Sequence, residues 1–225
     1  MQNYKAVVLT KLKKQRGQEL TNEHKTLSRE AMESLDRFNI PYETEEYVSI
    51  NDATALFNSL NFMHFPNMFD VHARDPEAVA RFLSHWKVWT KCVTENIPYL
   101  IVDYNGYMIA PLPGNVTDLY EHALHLSIKA DHERNLVRVF APDVIFNKDG
   151  SYTNSAGRRI PILEYSDMKR NFIPNLTAYM IKPKGVVRLA KFVQQEGALP
   201  MDVMINGSIV NLKYFTMPVF SKNTL

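Results

Sequence analysis

The chain has one cysteine in 225 residues, Cys92, so no disulfide can form within it. The redox compartment is therefore unconstrained, and the default expectation is the cytoplasm. No stretch reaches the roughly 18 uninterrupted apolar residues of a membrane-spanning helix, so no stable membrane insertion is expected. The opening residues, MQNYKAVVLTKLKKQR, lack the charged, apolar and small-residue order of a secretory leader. GxGxxG, a Walker phosphate loop, HExxH and CxxC are also missing, and with them the usual dinucleotide, nucleotide, zinc-protease and thiol-redox signatures. Neither an internal repeat nor a low-complexity linker interrupts the chain. A formal net charge of +2 is too small to diagnose any partner.

What is present is ordinary globular composition, 45% hydrophobic and 22% charged, in a length that suits one large domain. The charge is unevenly spread. Residues 1–125 hold 12 Lys and Arg against 16 Asp and Glu, a net −4, whereas residues 126–225 hold 14 against 8, a net +6. Basic residues of the second half gather at Arg158 and Arg159, Lys169 and Arg170, Lys182 and Lys184, and Arg188 and Lys191. Such runs are usually solvated loops and helix faces. The sharper reading is a wall facing phosphate, from a nucleotide or a nucleic-acid backbone.

Along the chain, Tyr4 to Thr10 reads as a buried strand around Ala6–Leu9. Residues 26–38 carry apolar side chains at near-helical spacing, with Ser28 as the expected N-cap and Asn39-Ile40-Pro41 as the stop. Residues 42–50 read as a second strand, completing the strand–helix–strand unit of parallel sheets. A short helix and loop are expected over 52–72. Asp75-Pro76-Glu77 starts a helix that runs to Glu95, with Val79, Phe82, Leu83, Trp86, Trp89 and Val93 on its apolar side and Asn96-Ile97-Pro98 at its end. Tyr99–Val102 is the best buried strand, and Asp103-Tyr104-Asn105-Gly106 follows at its carboxyl end, where ligands of open α/β sheets gather. Further on, the pattern predicts a helix over 118–130, strands over 136–140 and 175–181, and an exposed loop or hairpin over 147–157. A helix over 186–195 stopped by Gly197, a short helix or strand over 201–210 and an apolar segment over 212–219 complete it. The economical fold class is α/β, a single domain over 1–225 with a mixed, mainly parallel sheet flanked by helices.

Chemistry-bearing residues are few. Cys92 lies mid-helix beside Trp89 and Val93 and reads as a packed thiol. The spacing of His122 and His125 puts both on one face of the expected helix, without a cysteine companion, which favours a structural or solvated role. His85 follows Ser84 inside a helix and reads first as a core histidine. Asp103 and Asn105 place one carboxylate and one amide oxygen on the same side of a strand end. That is a hard-oxygen set of the kind Mg²⁺ and Mn²⁺ use, with phosphate oxygens to complete the shell. Asp-Tyr-Asn-Gly reads equally well as a turn.

Taken in order, four passages resemble glycosyltransferase family 25, the lipopolysaccharide-type and collagen-modifying sugar transferases. They are Val7-Val8-Leu9 with the basic stretch Lys11, Lys13, Lys14 and Arg16; Ser84-His85-Trp86-Lys87-Val88-Trp89, matching SHxxxW; the strand ending in Asp103-Tyr104-Asn105; and Thr177 to Gly185 with Pro200-Met201-Asp202, matching T-A-Y-x-I-x-x-x-G and P-x-D. The matches span most of the chain, and residues 106–170 match poorly. The family's acidic triplet Glu-Asp-Asp is here Asp103-Tyr104-Asn105, with one carboxylate of three.

The resemblance implies a GT-A-like fold, with a nucleotide-sugar half over 1–105 and an acceptor half over 106–225. It implies a donor site at Leu9, Lys14, Arg16, Ser84, Asp103, Tyr104, Asn105, Thr177 and Tyr179, and a Mg²⁺ or Mn²⁺ ion at Asp103 and Asn105 weakened by the lost carboxylates. It casts Asp202 as the base that deprotonates the acceptor hydroxyl, with His85 near the donor. The acceptor is expected to be DNA at Arg158, Arg159, Lys169 and Arg170, because basic side chains interleaved with aromatics hold phosphates and unstacked bases. Bacteriophage enzymes that glycosylate hydroxymethylated pyrimidines are the nearest analogy. A lipopolysaccharide-type saccharide acceptor, or a catalytically inactive glycosyltransferase-like binding protein, are the alternatives.

Overall fold

Val7, Val8 and Leu9 are completely buried because the first strand, β1 (Lys5–Thr10), is covered on both faces. The computed structural model describes residues 3–12, 21–63, 75–127, 145–146, 152–153, 176–207, 209–215 and 218–223. After β1 come α1 (Asn22–Arg37), β2 (Tyr42–Glu46), α2 (Ile50–Ser59), α3 (Pro76–Glu95), β3 (Tyr99–Val102) and β4 (Gly106–Met108). A 3-10 turn, Val116–Leu119, leads to β5 (Ala123–His125), β6 (Ile145–Phe146), β7 (Tyr152–Thr153) and β8 (Ala178–Ile181). The chain closes with α4 (Pro183–Glu196), α5 (Met201–Met204), β9 (Leu212–Tyr214) and β10 (Phe220–Lys222).

Six strands form one mixed sheet in the order β2-β1-β3-β8-β5-β9. β1 pairs in parallel with β2 and β3, and β5 in parallel with β9. β8 is antiparallel to both of its neighbours. Five strands therefore point one way and β8 the other. The class is α/β, as the strand–helix–strand order at the start of the chain leads one to expect.

Alternation along the strands divides the core into two layers. Val7, Leu9, Tyr99, Ile101, Tyr179 and Ile181 face α2, α3 and α4. Ala6, Val8, Leu100, Val102, Ala178 and Met180 face α1 and the Leu126–Phe220 layer. Near-continuous apolar runs are what a sheet buried on both faces requires.

Asparagine closes two helices in the same way. Asn39 and Asn96 have φ of 55° and 54°, the left-handed region that asparagine tolerates better than most residues. Each precedes Ile-Pro, which cannot continue a helix. The chain then turns directly into β2 and β3.

Several boundaries differ from the sequence reading. α1 begins at Asn22, with Thr21 as N-cap accepting from the His24 amide at 3.2 Å. Ser28 is inside the helix, bonded back to the His24 carbonyl at 2.8 Å. The helix expected over 118–130 is a 3-10 turn followed by β5, because Ala123, Leu124 and His125 find ladder partners in β8 and β9. Long-range pairing overrides the weak local helical pattern there. Val93 is 40% exposed, whereas Val79, Phe82, Leu83 and Trp89 are buried as expected, together with Ala80, Ser84, His85, Val88 and Cys92. β6 and β7 form an antiparallel pair flanking part of the expected 147–157 hairpin, and the strand expected over 136–140 lies outside the described residues.

Candidate functional site

The carboxyl ends of β1, β2 and β3 lie side by side because the three strands are parallel neighbours. A cleft of about 140 Å³ opens there, lined by Lys11, Tyr47, Glu77, Arg81, Tyr104, Asn105 and Lys222. Whole ligand pockets typically run to roughly 300–1,000 Å³, so this volume suits a phosphate-sized part of a ligand.

Local bonds fix each strand end. Glu46 accepts from the Thr10 hydroxyl at 2.9 Å and the Leu12 amide at 2.8 Å, and the Ser28 hydroxyl accepts from the Lys11 amide at 3.0 Å. These contacts hold the turn after β1 so that Lys11, only 6% exposed, extends over the rings of Tyr47 and Tyr104 at 5.1 and 4.4 Å. Cation–π attraction favours that placement of an ammonium. The Lys11 Nζ also lies 3.5 Å from Glu77. Asp75 caps α3 by accepting from the Glu77 amide at 3.1 Å, and one turn on, Arg81 faces the same cleft.

Asp103 is the hub beneath the cleft. Its backbone amide donates to the Thr177 carbonyl at 2.9 Å. Its carboxylate, wholly buried, accepts from Arg81 Nη2 at 2.8 Å, from the Tyr104 amide at 2.8 Å and from the Tyr47 hydroxyl. Burial pushes its pKa upward, but the Arg81 charge and these hydrogen bonds prevail, so the carboxyl stays below its ordinary value and ionised. Asn105, 7% exposed, also lines the cleft, and its buried Oδ1 has no hydrogen-bond partner among the described residues.

Behind the hub the two motifs meet. Trp89 Nε1 donates to the Tyr179 hydroxyl at 2.9 Å, and His85 Nδ1 lies 2.9 Å from the same oxygen. The Trp89 proton occupies one of the two lone pairs of the Tyr179 oxygen, and the direction of the His85 contact follows the imidazole tautomer. Burial pushes the His85 pKa down to about 3 against the pull of Asp103, which keeps the ring neutral. Ser84 donates to the Ala80 carbonyl at 2.6 Å and accepts from the Val48 amide at 2.9 Å.

The residues singled out in the sequence thus separate into groups. Tyr104 and Asn105 line the cleft, and Asp103 supports it. Leu9, Ser84, His85, Thr177 and Tyr179 are buried framework. Asp202 falls in the short helix α5 after Pro200. Lys14, Arg16, Arg158, Arg159, Lys169 and Arg170 lie outside the described residues. Tyr47, Glu77, Arg81 and Lys222 are cleft residues that sequence reasoning missed. Arg81 carried one signal: it precedes His85 by four positions and so shares its helix face.

His122 and His125 are not on one helix face. His125 is in β5, and His122, just before it, accepts from the Asn211 amide at 2.9 Å. Cys92 is buried with its thiol against the Ile97 carbonyl at 3.2 Å, and burial pushes its pKa up to about 12.

A divalent cation does not fit Asp103 and Asn105. The carboxylate is already neutralised by the Arg81 guanidinium, and its lone pairs also accept from the Tyr47 hydroxyl and the Tyr104 amide. Among the described residues no group of three or more His, Cys, Asp and Glu side chains is arranged to hold a metal, and no helix is long and apolar enough to cross a membrane. Compared with known proteins, the chain matches no family model and no curated protein.

Proposed function

We propose that this chain is a nucleotide-sugar-dependent glycosyltransferase with a GT-A-like fold, moving a hexosyl or pentosyl group onto an acceptor hydroxyl. The observation that carries the reading is the cleft at the carboxyl ends of three parallel strands, with basic side chains over Asp103 at the end of β3. Ligands of open α/β sheets bind at that edge. Supporting it, SHxxxW in α3 and TAY at β8 converge on one hydrogen-bond network although they are far apart in sequence.

In the proposed reaction the acceptor oxygen forms a bond to the anomeric carbon while the bond from that carbon to the diphosphate oxygen breaks. The electron pair stays with the leaving nucleoside diphosphate, beside Arg81 and Lys11, where positive charge stabilises it. A carboxylate takes the acceptor proton, and Asp202 in the P-x-D passage is the proposed base. Asp103 is unsuited to that role because its lone pairs are committed to Arg81, Tyr47 and Tyr104. The proposed acceptor is a hydroxymethylated pyrimidine in DNA, on the strength of the +6 charge of residues 126–225.

The committed state of Asp103 also favours a second reading, a glycosyltransferase-like module that binds its ligand without turnover. The test is incubation with UDP-, GDP- and ADP-sugars and hydroxymethylated DNA, followed by mass spectrometry of the released nucleosides. A mass gain of one glycosyl residue is expected, and Asp202→Asn should abolish it while sparing donor affinity. Donor binding with unchanged nucleosides and with no transfer to saccharides would establish the binding module instead.

A further inference from the structure

We propose that the cleft at the end of β3 binds its phosphate-bearing ligand without a divalent cation, with Arg81 and Lys11 in place of the metal charge and Asn105 as a dedicated polar contact. The inference rests on the nucleotide-sugar reading above and departs from the metal that the family resemblance implies.

Charge is the first argument. Among the described residues the cleft carries three basic side chains, Lys11, Arg81 and Lys222, against the carboxylates of Glu77 and Asp103. The one carboxylate positioned as a cation ligand is wholly buried and salt-bridged to Arg81 at 2.8 Å. A guanidinium beside a phosphate supplies directional N–H donors as well as charge. Lys11 adds a compact charge held between Tyr47 and Tyr104 rather than waving in solvent, which lowers the ordering cost of binding. The first turn of α3, at Glu77, borders the same space, and the positive end of a helix dipole favours anions there.

Asn105 is the independent observation. More than nine-tenths of it is buried, it lines the cleft, and its Oδ1 meets no donor among the described residues. Buried amides are ordinarily satisfied, because leaving one unpaired costs free energy. Its backbone is pinned at the same time, since the Asn105 carbonyl accepts from the Asn223 amide at 2.8 Å. The carboxamide is therefore held ready for a partner that the ligand brings. A hydroxyl of the ligand serves Oδ1, and the amide's N–H serves a phosphate oxygen. A nucleoside diphosphate presents both groups.

The experiment is isothermal titration of the full chain with UDP, GDP and ADP, each in EDTA and each in Mn²⁺, with Mn²⁺ alone as a further titrant. At least one nucleotide is expected to bind with the same affinity, within about twofold, in EDTA and in Mn²⁺. Mn²⁺ alone is expected to give no binding heat. Nucleotide binding that appears only with Mn²⁺ would overturn the metal-free cleft and leave the glycosyltransferase reading standing. Absence of binding for every nucleotide in both conditions would remove that reading and this inference together. Lys222→Glu, at an exposed position on β10, reverses one cleft charge and should weaken the EDTA affinity by about tenfold. Unchanged affinity in that variant would put the ligand elsewhere and overturn the assignment.

Discussion

Trp89 Nε1 donates to the hydroxyl of Tyr179 across 2.9 Å, joining the middle of α3 to the one strand of the sheet that runs against the rest. Both side chains are essentially unexposed. The same oxygen satisfies His85 Nδ1, so one phenol holds together a motif from each half of the chain.

Tyr179→Phe should be costly out of proportion to the single atom removed. It leaves the Trp89 N–H and His85 Nδ1 buried without partners, at about 1–3 kcal/mol for each group. Urea denaturation is expected to show a loss of roughly 2–5 kcal/mol on that principle, with an unchanged m-value. A loss under about 0.5 kcal/mol, the range of ordinary surface substitutions, would mean that the network is not a structural joint.

Arg81→Met strands the Asp103 carboxylate in the core. Removing one partner of a buried ion pair costs about 3–5 kcal/mol. Arg81→Met combined with Asp103→Asn removes the uncompensated charge and should recover most of that loss. The comparison is read from chemical denaturation of the two variants. A double variant no more stable than Arg81→Met would show that the pair is not coupled.

Stability should also depend on His85 in acid. Its folded value is about 3 against an ordinary 6.5, so the unfolded state binds the extra proton. Stability is therefore fully present above pH 6.5 and is lost as the pH falls from 6.5 toward 3. The slope is about 1.4 kcal/mol per pH unit for one imidazole. His125, pushed by burial to about 4, adds to the same slope down to that pH. Unfolding free energies measured across this range in the wild type and in His85→Gln should diverge by one proton's slope. Parallel curves would remove His85 from the account.

The two Asn-Ile-Pro stops, the Asp75-Pro76 start and the Tyr99–Val102 strand were legible in the chain because each rests on local chemistry: backbone strain, a missing N–H, or an unbroken apolar run. Much of the cleft was not. Asp103, Tyr104 and Asn105 announced themselves by lying at a strand end, whereas Tyr47, Glu77 with Arg81, and Lys222 arrive from three other places in the sequence. The misread helix over 118–130 failed for the same reason, since Ala123–His125 is extended only because β8 and β9 stand on either side.

The amino-acid sequence by itself determined the α/β class, the scarcity of thiol chemistry and the location of one polar strand end, since these depend on neighbours along the chain. Tertiary structure alone decided what surrounds that strand end. Folding brings Arg81 to 2.8 Å from Asp103 and buries the carboxylate. Without that approach Asp103 reads as a metal ligand; with it, the charge is spent inside the protein and the cleft above carries basic side chains. Spacing along a chain cannot encode which charge a carboxylate meets after burial, because Coulomb attraction depends on distance in space and on the dielectric that packing creates.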